Sequence, residues 1–217
     1  MEKFKIEIWS DIQCPFCYIG KRKIEKALES FKEKDKVEIE WKSYQLDPEA
    51  KSQPGVSMYD YLAKRKGQTR EWSVAMHKNV TEMAKENGLD YHFEKAVLAN
   101  SYDAHRLIQL AKTNKLGNEA EERIFKAYFT EGKDIADKKT LHALGKEIGL
   151  LEEDINHVLN SDKFGENVKA DIEEAYAIGV KGVPFFVFNR SYAVSGAQAD
   201  DVFTNTLTKS FEAWEKN

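Results

Sequence analysis

Residues 4–31 read FKIEIWSDIQCPFCYIGKRKIEKALESF, and a change of period inside this stretch decides the fold. Phe4, Ile6 and Ile8 alternate with Lys5 and Glu7, the period of two that marks a strand with one strongly apolar face. Beyond Ser10-Asp11 the apolar residues recur at Ile24, Ala27, Leu28 and Phe31, the spacing of a helical stripe. That helix is expected from near Pro15 to about Lys34, with Pro15 in the first turn, where its missing N–H is harmless. Val37, Ile39 and Trp41 then alternate again. The opening is β-α-β, and the chain's two cysteines, Cys14 and Cys17, stand at its strand-to-helix junction.

Two cysteines placed at random in a chain of this length fall three apart in about one pairing in a hundred, so the C-x-x-C spacing calls for a chemical reason. A thiolate is the nucleophile of disulfide exchange, and a helix N-terminus offers it unpaired N–H groups and the positive end of the dipole. Cys14 has that place. Cys17 lies one turn further on, within reach of a mixed disulfide on Cys14. Cys14 is therefore expected to attack and Cys17 to resolve, with Pro15 and Phe16 meeting the substrate and tuning the pair through rigidity and exposure. A structural zinc ion needs four ligands. No second cysteine pair exists, and His77, His92, His105, His142 and His157 stand at no ligand spacing. Neither a metal nor another cofactor is expected.

The 217 residues carry 33 Lys+Arg against 37 Asp+Glu, a net charge of −4, with 41% hydrophobic residues and four prolines, a composition that excludes disordered, collagenous and low-complexity chains. The basic residues are spread out, which leaves no footprint for a phosphate backbone, so nucleic acid is not an expected partner. No stretch approaches the ~20 apolar residues of a spanning helix. The opening MEKFKIEIWSD alternates charge with hydrophobe where a signal peptide has an unbroken apolar core. A cytoplasmic protein with no membrane partner is expected.

Asp47-Pro48 and Pro54-Gly55 punctuate the chain, and the periodic segments beyond them are helical. Ser57 and Asp60 have capping-box spacing. Trp72, Met76, Val80 and Met83 share one helical face, and Ala104, Leu107, Ile108 and Ala111 another. Further helices carry Ile124 and Tyr128, then Leu141, Leu144 and Ile148, then Ile155, Val158 and Leu159, in a block of about five. A long helix with Phe164, Val168, Ile172 and Ala175 stops at Gly179. Residues 183–188, VPFFVF, and Tyr192-Ala193-Val194 flank the turn Asn189-Arg190 as a hairpin. Phe203, Leu207, Phe211 and Trp214 stripe a closing helix. The order β-α-β, helices, α-β-β-α is that of the thioredoxin fold, in which the Val183–Pro184 bond is expected to be cis and to lie beside Cys14.

Four segments carry a family resemblance: residues 10–21, SDIQCPFCYIGK; Gln45-Leu46-Asp47-Pro48; residues 100–107, NSYDAHRL; and residues 182–188, GVPFFVF, followed by Gly196-Ala197-Gln198. Through them the chain resembles the DsbA family of thiol-disulfide oxidoreductases, and within it the FrnE-like branch of dithiol-disulfide isomerases. Phe16 stands where that branch often has Trp, and the C-terminal cysteine pair of some relatives is absent. The resemblance implies an α/β thioredoxin-like domain, residues 1–47 with 163–217, interrupted after the second strand by an all-helical insertion, residues 48–162. It implies protein or low-molecular-weight thiols and disulfides as partners, a glutathione-like thiol among them. The backbone of Val183, before Pro184, is expected to receive substrate as an added strand.

Other residues keep two readings. By likeness to glutathione-using relatives, Asn100 and Ser101 line the pocket; by their types they suit a helix start. His105 reads as a structural histidine or a proton shuttle. Trp9, Phe16, Tyr18 and Trp72 suit an apolar rim around Cys14 or, for Trp72 above all, core packing. Lys21 to Lys36 suit a solvated face, with Lys21 or Arg22 placed to favour a thiolate. The competing activity is that of a glutathione-dependent isomerase or transferase, of the 2-hydroxychromene-2-carboxylate isomerase or kappa-transferase type, acting on a small aromatic compound. Such relatives commonly have Ser in place of the first cysteine, so the intact pair favours disulfide exchange. A third reading is a non-enzymatic binding module, a holdase or a zinc-bridged dimer.

Overall fold

The alternating segment Phe4–Ser10 forms β1 and occupies an inner position of a four-stranded sheet in the computed structural model, which describes residues 3–216. It runs parallel to β2 (Val37–Ser43) and antiparallel to β3 (Phe185–Phe188), and β3 pairs antiparallel with β4 (Tyr192–Ser195), giving the order β2-β1-β3-β4. Ile8 stands opposite Trp41 on one side and Phe186 on the other. Phe4, Ile6 and Ile8 pack with Ile24 and Ala27 of α1 (Pro15–Glu29) and with Phe203, Leu207 and Phe211 of α9 (Asp200–Trp214). A buried side chain of this size contributes about 1.5–3 kcal/mol, so these aromatic and branched residues supply most of the force that holds both helices on the sheet.

Two of the alternate positions of β1, Glu7 and Trp9, are also covered. Trp9 is 0% exposed, packs with Tyr44, Val180, Val187 and Ala175 of α8 (Gly165–Ala177), and donates its indole N–H to the Asp171 carbonyl at 2.8 Å. Glu7, a charged residue in the alternation, is 3% exposed. Its carboxylate pairs with Arg190 and lies 3.7 Å from the Lys42 ammonium, which also faces Glu174 at 3.1 Å, Glu40 at 3.3 Å and Asp171 at 3.5 Å. Burial opposes the Lys42 charge, yet Asp171, Glu174 and Glu40 outweigh it and hold its pKa above the ordinary lysine range. A buried charge persists when it is paired in this way.

The first helix is shorter than its stripe suggests. It ends at Glu29, the Phe31 N–H folds back to the Leu28 carbonyl at 3.1 Å, and the Phe31 ring meets Phe211 edge-on at 5.1 Å; a short 3₁₀ turn, Lys34–Lys36, then leads into β2. Packing against α9 overrides continuation of the helix. Between β2 and α8 lie six helices: α2 (Met58–Lys66), α3 (Arg70–Glu86), α4 (Tyr102–Thr113), α5 (Gly117–Phe129), α6 (Lys138–Glu147) and α7 (Glu152–Leu159). The expected block of about five falls one short. Gly149, at φ 92°, ends α6, and α7 starts three residues later as a separate element. Gly145 permits the close packing of the two, because a Cβ there would lie 2.8 Å from the Ile155 side chain.

The chain divides into two compact units, residues 1–46 with 168–217 and residues 47–167. The first contains the sheet with α1, α9 and most of α8. The second is helical, with Leu107, Ile124, Phe125, Leu141, Leu144 and Ile155 in its interior. No helix among the described residues is long and apolar enough to cross a membrane.

Candidate active site

Cys14 is the N-cap of α1, with extended backbone (φ −89°, ψ 109°), and Pro15 follows in the first turn. The turn that presents it is built by backbone bonds from Cys14 N–H to Asp11 O at 2.9 Å and from Cys17 N–H to Cys14 O at 3.0 Å. Asp11, fully buried, ties this turn to the end of β2: its carboxylate accepts from Leu46 N–H at 2.7 Å and from Gln13 N–H at 3.3 Å. Sequence reading passed over Asp11. The available signal was an Asx residue just before a helix start, where its side chain competes for backbone N–H groups.

Both cysteines are free and buried. The Cys14 thiol donates to the Val183 carbonyl at 3.3 Å, so the residue before Pro184 lies against the first sulfur. The Val183–Pro184 bond is cis, as the order of elements leads one to expect. Burial pushes the Cys17 thiol well above its ordinary value, and the hydrogen bond to Cys14 and that sulfur's charge push the same way. The Asp11 backbone and the Ser10 hydroxyl oppose the rise without cancelling it. At neutral pH Cys17 is accordingly a protonated thiol beside Cys14. Pro15 and Phe16 are half-buried at the helix start. Among the described residues no cluster of three or more His, Cys, Asp and Glu side chains is placed to hold a metal ion.

Residues 5–208 match the DSBA-like thioredoxin domain. The chain belongs to that family. It is similar to the probable DsbA oxidoreductase SCO1869 of Streptomyces coelicolor, at 35% identity and a TM-score of 0.90 over 96% of this chain and 90% of the other. The YwbO protein of Bacillus subtilis (strain 168) is 28% identical over 94% of this chain and 95% of its own length. At lower identity the fold alone is shared with the cytosolic disulfide reductase DsbM of Pseudomonas aeruginosa (16%, TM-score 0.65, covering 98% and 97%) and with a 2-hydroxychromene-2-carboxylate isomerase (14%, TM-score 0.68, covering 98% and 97%).

This DsbA-like protein brings Cys14, Cys17, Val183 and Pro184 together within one unit. Asn100 and Ser101 belong to the helical unit. There Asn100 donates to the Pro48 and Ala50 carbonyls at 2.8 and 3.0 Å and caps α4 by accepting from Tyr102 N–H at 2.8 Å. Ser101, at the N-cap position, makes no capping bond, and its buried hydroxyl has no partner among the described residues. The capping reading thus falls on Asn100. His105 is fully buried on α4.

Two expectations are corrected. Trp9 belongs to the core beneath α8 and forms no part of a rim around Cys14, because its indole N–H finds its partner on that helix. Lys21 is 1% exposed and pairs with Glu25 instead of lying in solvent. It follows Cys17 by four residues and precedes Ile24 by three, which puts it on the packed stripe of α1. Arg22 engages Glu25 at 2.8 Å and stacks over the Tyr18 ring at 4.9 Å. Farther along, Lys26, Lys32, Lys34 and Lys36 are exposed as expected. Trp72 is half-buried on α3 of the helical unit.

Proposed function

We propose that this protein is a thiol-disulfide oxidoreductase or isomerase in which Cys14 exchanges and Cys17 resolves. The observation that carries the reading is the Cys14 thiol at the start of α1, 3.3 Å from the Val183 carbonyl, with a protonated Cys17 one turn away. The Cys14 thiolate attacks a substrate disulfide, forming a Cys14–substrate disulfide and releasing one substrate thiolate, which takes a proton. Cys17 then loses its proton and attacks the Cys14 sulfur; a Cys14–Cys17 disulfide forms and the second substrate thiol leaves. The substrate is reduced by two electrons and the protein oxidised by two, and the reverse sequence oxidises a dithiol. For isomerisation, a second thiol of the substrate resolves the mixed disulfide.

The Val183 carbonyl that holds the resting thiol is freed when Cys14 enters a mixed disulfide, and it then accepts a backbone N–H of an extended substrate, with Pro15, Phe16 and Pro184 forming the apolar surround. The partners are protein and low-molecular-weight disulfides, glutathione among them, as the solved complex of DsbM with GSH supports. A cytoplasmic location accords with the name of that cytosolic reductase and favours reduction or isomerisation. The FrnE-like assignment rests on the four motif segments.

The deciding experiment pairs redox titration with trapping. In graded glutathione buffers the Cys14–Cys17 disulfide should form reversibly, with a midpoint near or above about −180 mV for an oxidant or isomerase and near −270 mV for a reductase. Cys17→Ala should accumulate a mixed disulfide through Cys14, and Cys14→Ala should lose exchange. Equal activity in the two variants sinks the role assignment. Absence of a disulfide at every poise turns the reading toward the glutathione-dependent isomerase.

A further inference from the structure

Within the helical unit, a cavity of about 380 Å³ is lined by residues of α2, α3 and the segment leading to α4, a volume in the range of small-molecule sites. Its central polar group is His77, 8% exposed, whose ring lies edge-on between Tyr59 at 4.9 Å and Phe93 at 4.5 Å between centroids. His77 Nδ1 is 2.8 Å from the Ser73 carbonyl oxygen. A carbonyl only accepts, so Nδ1 carries the proton and Nε2 is left as a bare lone pair. Burial lowers the His77 pKa and so favours this neutral form, although the Ser73 contact works the other way. Every bond of the ring runs through Nδ1. The cavity thus holds, on a residue only 8% exposed, an acceptor that has no protein donor among the described residues.

The remaining polar lining is acceptor-rich as well. Thr81 gives its hydroxyl hydrogen to the His77 carbonyl at 2.9 Å, which leaves oxygen lone pairs outward. Glu82 and Glu94 stand at the cavity against one cation, Lys78, a surface group 4.0 Å from Glu82. Partial burial disfavours the Glu94 carboxylate, but its own backbone N–H and His92 hold its pKa below the ordinary range, so it is charged. The adjoining hollow shares Tyr59, Phe93 and Glu94, and there the Arg70 guanidinium already lies 5.8 Å over the Tyr59 ring. Aromatic walls, two carboxylates and the free Nε2 lone pair complement an organic cation that carries N–H groups.

We propose that this cavity is a binding site for a primary ammonium compound with an apolar body, whose N–H donates to His77 Nε2 while the aromatic residues enclose the body and Glu82 and Glu94 balance the charge. This site is separate in kind from the dithiol chemistry and does not depend on it.

The test uses the full chain with phenethylammonium as probe, followed by calorimetry and amide NMR shifts. Two analogues isolate the terms: phenethyltrimethylammonium keeps the charge without N–H, and 3-phenylpropionate reverses the charge. Phenethylammonium is expected to saturate and to shift residues 74–82 and 91–94. The trimethyl analogue should bind at least tenfold more weakly, as loss of a charge-assisted hydrogen bond entails, and 3-phenylpropionate should not bind. His77→Phe, which keeps the ring shape, should weaken the probe by tenfold or more and leave disulfide exchange unchanged. Should His77→Phe fail to fold, the pair Glu82→Gln and Glu94→Gln, both on exposed side chains, should weaken it at least threefold. No saturation by 20 mM probe, equal binding of either analogue, or indifference to these substitutions overturns the proposal.

Discussion

Gly20 lies against Pro184: a Cβ on Gly20 would come within 3.0 Å of both the Pro184 ring and the tip of the Phe186 ring. The helix that presents Cys14 and Cys17 therefore meets the start of β3 at a contact that a Cβ enters only if those rings give way by a few tenths of an ångström. Gly20→Ala gains about 1 kcal/mol of helix propensity, but overpacking a well-filled core costs about 1–3 kcal/mol. Both opposing groups are rigid rings that cannot swing aside, so the clash wins. A net loss of up to about 2 kcal/mol in urea melts is expected, with slower exchange as Val183 is displaced from Cys14. A variant as stable as the parent overturns this account of the contact.

The Cys17 thiol gives reduced protein a pH dependence that oxidised protein lacks. Its pKa is raised in the fold above the ordinary value of 9.0 by burial and by Cys14, so the stabilising proton is fully in place below that value. Above pH 9 the unfolded chain loses the proton and the folded chain keeps it. Stability should then fall by up to about 1.4 kcal/mol per pH unit until the folded thiol also ionises. Melts of reduced and disulfide-bonded protein between pH 7 and 10.5 measure the difference, and parallel curves contradict it. By the same sign, breakdown of the mixed disulfide by Cys17 should accelerate about tenfold per pH unit below its folded pKa.

Asp11 joins the cysteine turn to the end of β2 through Gln13 and Leu46. Asp11→Ala leaves two part-buried N–H groups without this acceptor and should cost about 1–3 kcal/mol. Asp11→Asn keeps one carboxamide oxygen and should cost about half as much. Chemical denaturation ranks them; equal costs for Asn and Ala assign the effect to lost packing instead.

Arg106, 4% exposed on α4, donates to Asp103 at 2.7 Å, to the Lys163 carbonyl at 3.0 Å and to the Val158 and Ser161 carbonyls. One guanidinium thus gathers the end of α7 and the chain that follows. Lysine cannot reproduce this planar fork, so Arg106→Lys should lose about 2–4 kcal/mol and expose residues 158–163 to hydrogen exchange before the rest of the helical unit. Uniform exchange throughout that unit contradicts the local role.

Much of this was legible in order of residues. The period change across residues 4–31, the C-x-x-C at the junction, the hairpin turn at Asn189-Arg190 and the stripe of α9 are local patterns, and the structure has each of them where periodicity places it. Local patterns failed where a distant segment set the outcome. Trp9 sits at a position whose spacing suits exposure as well as burial, and α8 buries it, whereas the charge of Lys21 suggests solvent although its spacing puts it on the α1 stripe, where it is buried with Glu25 as partner. Phe31 leaves its helix for Phe211, a residue far along the chain.

The sequence by itself determined most of the elements and the placing of the two thiols one turn apart at a helix start, because helix period, strand period and the three-residue spacing depend on neighbours alone. Only the tertiary structure decided that burial keeps Cys17 protonated, that Asn100 also binds the Pro48 and Ala50 carbonyls, and that Tyr59, His77 and Phe93 enclose one cavity. Each of those facts depends on desolvation or on contact between segments that spacing along the chain does not encode.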